Sequence, residues 1–169
     1  MKSLKFTDYL AIYAAILSSV VFLWNVLQSL PRLKVDLLFG IETIDGTTTS
    51  GISVVVRNTS SHDIHLAAIG LLYPYIEVGV KERLLHLWRY KCWPNRVGWC
   101  HTDLSNYAIK DGCPMCLEAR KSHHVLVPQS VVEQVLSEAT QDNIIATVQD
   151  QLWNNVYSRP FKWSLAKKA

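Results

Sequence analysis

The stretch from Tyr9 to Leu30, YLAIYAAILSSVVFLWNVLQSL, holds 22 residues and not one Asp, Glu, Lys or Arg. Its plainly polar side chains are Ser18, Ser19, Asn25, Gln28 and Ser29. At about 1.5 Å rise per residue, roughly 20 such residues cross a hydrocarbon layer about 30 Å thick. Lys2 and Lys5 precede the run, Arg32 and Lys34 follow it, and Tyr9, Tyr13 and Trp24 sit toward its ends, where aromatics favour the membrane interface. Pro31 ends the helix, because it lacks an N–H and pushes the preceding residue out of helical geometry. A cleaved signal peptide is disfavoured: its apolar core spans only about 7–15 residues, and WNVLQSLPRLKV offers no small-x-small cleavage site. A buried helix of a soluble protein would show a polar face, and this one has none. The expectation is a tail over 1–8, one transmembrane helix over 9–30 in contact with the lipid bilayer, and a domain over 31–169. That makes it a single-pass cell-membrane protein.

Basic residues tie at two before the helix and two after it, so the positive-inside rule does not choose a side. Ala11, Ala15 and Ser19 recur at four-residue spacing, as do Ala14 and Ser18, an interval that lets helices approach closely. The net charge of +3 is too small to argue for a nucleic-acid partner, and no stretch interleaves Lys and Arg with aromatics.

Beyond Pro31 the pattern turns to strands. LKVDLLF (33–39), ISVVVR (52–57) and IHLAAIGLL (64–72) are apolar or β-branched runs separated by turn residues, among them Gly40, Asp45-Gly46 and Asn58-Thr59-Ser60-Ser61. Asn58-Thr59-Ser60 matches a glycosylation sequon, but its surroundings favour a turn role. The segment 76–91 reads equally as a helical turn or a polar-faced strand. HHVLV (123–127) is a strand, and 130–140 is a short helix with Ser130 as N-cap and Glu133 completing a capping box. A strand at 144–149, a turn at 150–155 and a closing strand at 156–163 follow. The predicted fold class is mainly β: an antiparallel β-sandwich with one short helix.

Residues 92–122 interrupt this order as an irregular insertion, and all four cysteines fall within it: Cys92, Cys100, Cys113 and Cys116. Cys113-Pro114-Met115-Cys116 is half of a zinc knuckle, since two thiolates three apart on a tight turn can share a tetrahedral ion. The first pair lacks that spacing. One structural zinc on the four thiols, with His101, His123 or His124 as substitute ligands, competes with two disulfides and with free thiols. A redox-active Cys113–Cys116 pair would want a helix N-terminus in a βαβ setting, which the sequence does not offer.

The layout resembles a group of small bacterial single-pass membrane proteins with an immunoglobulin-like domain. The resemblance rests on Pro31-Arg32-Leu33-Lys34-Val35 after the helix and on Val54-Val55-Val56-Arg57-Asn58 running on to Ile64, Ile69 and Gly70. Val148-Gln149-Asp150 and Val156-Tyr157-Ser158 in the last hairpin complete it. It covers most of the chain outside 76–122 and implies a fold and an address, without an activity. Basic residues usually follow the helix in that group, which tilts the domain toward the cytoplasmic side.

No phosphate loop, dinucleotide fingerprint, zincin motif or nucleophile elbow is present, and the carboxylates are scattered. The expected function is therefore non-enzymatic: a membrane-anchored accessory or binding protein whose sandwich docks on a membrane-protein partner. The alternatives are a tethered ligand sensor and a thiol-redox protein.

Overall fold

The computed structural model describes residues 6–44, 46–91 and 96–166. It is a mixed α/β chain with antiparallel sheets and an N-terminal apolar helix. Helix α1 spans Phe6–Ser29, three residues longer at its start than the uncharged run, because Asp8 in the first turn complements the helix dipole. Within it, Phe6–Gln28 has mean hydropathy 2.1 and no buried residue, so it is long and apolar enough to cross a membrane. Arg32 donates back to the carbonyl of Leu27 and relieves one of the helix's orphan acceptors.

Strands β1 (Leu33–Ile44) and β2 (Thr47–Asn58) form a long hairpin. Both run further than their β-branched centres: Gly40 is not a turn but pairs with Gly51 in mid-ladder. Strand β6 (Ser122–Pro128) adds to β2, giving a first sheet ordered β1-β2-β6. The second sheet is built on β3 (Ile64–Pro74) and β7 (Asn143–Asp150), with β8 (Asn155–Tyr157) beyond β7. On the other edge of β3 lie two short strands, β4 (Trp99–Asp103) and β5 (Met115–Leu117). The insertion is thus not irregular throughout; it supplies both of these strands and a 3₁₀ turn over Leu104–Tyr107.

The alternating residues Val35, Leu37, Ile52, Val54, Val56, Val125 and Val127 of the first sheet meet Leu66, Ile69, Leu71, Ile144, Ala146 and Val148 of the second in one buried cluster. A period of two puts those side chains on a single face, and on β3 an irregularity between Leu66 and Ala68 keeps Leu66 and Ile69, three apart, on the same side. Helix α3 (Gln129–Ser137) closes the cluster with Val132, with Val131 and Leu136 packed against it. Its N-cap is Pro128, not Ser130, so the expected capping box does not form; β6 pairs right up to Pro128 and starts the helix early. The closing strand is also corrected. Ser158 turns inward, its hydroxyl accepting from Ala146 N–H and donating to the Arg159 carbonyl, and Pro160 follows, so the run breaks. What remains is β8, a two-residue β9 (Phe161–Lys162) and a short α4 (Trp163–Ala166).

The ambiguous segment resolves as helix α2, Val80–Tyr90. With α1, α2 and α3 the chain is mixed, 40 % strand and 32 % helix, so strand remains the larger share but the mainly β expectation holds only in part.

Candidate functional site

Asn58 is 2 % exposed and spends its whole side chain inside the protein. Its amide donates to the carbonyls of His62, Leu117 and Glu118, and its oxygen accepts from the backbone and hydroxyl of Ser60. It is a structural knot that ties the β2–β3 turn to β5. Asp111, also buried, does the same one loop on. Between β4 and β5 one edge of β3 is bare, and there Ile69 N–H donates to the Asp111 carboxylate. The other carboxylate oxygen accepts from Cys113 N–H, and the Asp111 carbonyl accepts from His123 Nε2 at 2.8 Å.

The cysteines are distributed by this framework. Cys100 pairs in register with Tyr73 and Cys116 with His65, eight residues apart on the same strand. At about 3.3 Å per residue, roughly 25 Å separates those two positions. Cys100, Cys113 and Cys116 form no disulfide with one another, and Cys92 lies outside the described residues. Among the described residues no group of three or more His, Cys, Asp or Glu is placed to share a metal ion. The expected auxiliary ligands also disperse: His101 faces Asp103 at 3.5 Å, His124 faces Glu42 at 3.6 Å, and only His123 stays beside the Cys113 segment. Burial, with Asp111 beside it, pushes the Cys113 thiol up to about 12. Tyr73 is raised as well, by its hydrogen bond to Cys100, by burial and by Glu138, to which its hydroxyl donates at 3.3 Å.

The outward face of the second sheet gathers polar groups that the sequence reading left apart. Ala68 and Leu72 of β3, His101 and Asp103 of β4, Thr147 and Gln149 of β7 and Asn155 and Tyr157 of β8 line a concavity of about 230 Å³. Gly70 makes room for it: a Cβ there would meet His101 Nε2 at 2.5 Å and the Thr102 carbonyl oxygen at 2.8 Å. Arg96 stacks over the Tyr157 ring, 3.1 Å from its centroid, and closes one rim. The legible signal was the alternation of Thr147 and Gln149 with Ala146 and Val148 on β7, which sends polar groups to the face away from the core.

The other exposed feature is α2. None of its residues is buried, and Val80, Leu84, Leu85 and Trp88 are 74, 60, 61 and 83 % exposed. Val80, Leu84 and Trp88 recur at i, i+4 and i+8 and form one apolar stripe. Glu82 reaches back to accept from Gly79 N–H and fixes the helix start. Compared with protein-family models, curated proteins and solved structures, the chain matches none.

Proposed function

We propose that this chain is a non-enzymatic, single-pass membrane protein whose extramembrane domain docks through α2 on a membrane-protein partner. The observation that carries the reading is the bare apolar stripe of Val80, Leu84 and Trp88. An isolated helix shorter than about 12–15 residues is marginal in water, and α2 has 11, none of them buried among the described residues. A contiguous apolar patch of this kind marks an interaction surface. Strand β3 starts beside the end of α1 and runs 11 residues to Pro74, so α2 follows the far end of a strand roughly 35 Å long.

We read the domain as an immunoglobulin-like β-sandwich, supported by two antiparallel sheets that share one core. The cytoplasmic side fits three thiols not linked to one another, since reducing compartments keep such thiols free. A thiol held up to about 12 is a poor nucleophile and speaks against redox catalysis at Cys113. To test the docking role, the chain and its Leu84→Ser/Trp88→Ser variant are extracted from their native membrane in mild detergent and sized. The parent is expected in a larger complex that the variant loses; a parent that elutes alone contradicts the proposal.

A second reading, a tethered sensor of a small polar ligand, is favoured by the Thr147–Gln149–Tyr157 concavity. A panel of polar metabolites would then raise the melting temperature of the parent but not of Gln149→Ala. No response from the parent rules that reading out.

A further inference from the structure

We infer that the turn between β7 and β8 is a second membrane contact, with Leu152 and Trp153 seated at the headgroup–acyl boundary of the leaflet where α1 ends. The inference rests on reading α1 as a membrane anchor. Leu152 and Trp153 are 79 and 80 % exposed and adjacent, on a turn that leaves them nothing of the domain to cover. The turn is not a loose end. Asp150 accepts from the backbone of Leu152 and Asn154 through one carboxylate oxygen and from the Asn154 amide through the other. Gln151 N–H donates to the His65 carbonyl, which pins the turn to the start of β3. Trp153 itself sits at φ 65°, a left-handed conformation that a bulky side chain adopts at a cost. The fold therefore holds two large apolar side chains outward against both water and backbone preference.

Their position names the occupant. Pro31, two residues past the end of α1, lines the same concavity as Ile64, His65, Asp150 and Leu152. The turn is thus next to the point where an apolar helix leaves its hydrocarbon layer, and Trp is the side chain best suited to the interface there. The same end of the domain also presents cations. Arg32 and Arg120 line a further concavity beside Gln28 and Thr59, two guanidinium groups suited to lipid phosphate. Continuity with the helix end and this complementary charge point to the bilayer, not to a second protein.

The test uses the full chain in vesicles of phosphatidylcholine and phosphatidylglycerol brominated either just below the headgroup or near the acyl chain ends. Emission lost in Trp153→Phe isolates the Trp153 contribution, and this exposed substitution leaves the core untouched. The expected result is that this component is quenched by the shallow bromines and much less by the deep ones. A component that neither lipid quenches, in a chain that resists alkaline carbonate extraction, overturns the inference and leaves the anchor standing. Release by carbonate overturns the anchor reading and the inference with it. Protection of Trp153 without bromine quenching assigns the turn to a protein neighbour and also overturns it.

Discussion

Single side chains in this protein carry more of the fold than their polarity suggests. Asn58 satisfies three carbonyls and accepts twice, from a side chain that is itself buried. Asn58→Ala strands those groups, each worth about 1–3 kcal/mol when left unpaired, and partial relaxation leaves an expected net loss of about 2–4 kcal/mol in urea unfolding. Cys113 gives a chemical readout of its own. With its folded pKa at about 12 against an ordinary 9.0, it stays a thiol where an open cysteine is partly thiolate. At mildly alkaline pH, alkylation followed by mass spectrometry should label the exposed Cys116 before Cys113. The sign of the pH effect follows from the same shift. From about 9 to about 12 the unfolded chain surrenders a proton that the folded chain keeps. Folding stability is therefore intact below pH 9 and declines as pH climbs through that window. Tyr73, raised in the same sense, steepens the decline. Cys113→Ala should make it shallower.

Elements divide into those that were legible from residue order and those that were not. The runs around Val54, Ile69 and Val148 announced their strands, because β-branched residues at alternating positions have one low-energy use, a face on a core. Their ends were less legible: Gly40 reads as a turn in isolation, and only the facing Gly51 makes it a strand residue. The cap of α3 was misplaced because Ser130 and Glu133 have the right spacing, while the competing ladder between β6 and β2 fixes the chain up to Pro128. The cysteine segment was misjudged as irregular since β4 and β5 are short and borrow their order from the edge of β3, a partner no local pattern reveals. Helix α2 stayed ambiguous for a related reason: no core residue in it declares a period. That absence has a measurable consequence. Leu84→Ser/Trp88→Ser should leave thermal stability within about 0.5 kcal/mol, because substitutions away from packed features rarely do more. A large loss in the monomeric domain would mean that α2 is covered by its own fold.

At the scale of the whole molecule, the Leu152-Trp153 turn and the Arg32–Arg120 rim gather near the end of α1, while the exposed α2 follows the Pro74 end of β3. The polar face with His101, Asp103 and Gln149 runs along the body between the two. On the function proposed above, α1 holds the domain at a bilayer and α2 meets the partner. A photo-crosslinking amino acid placed at Trp88 in the native membrane tests this most directly, with the exposed Lys110 position as control. The expected result is one discrete heavier product from position 88 and none from position 110. No product from position 88, or the same products from both, would contradict it.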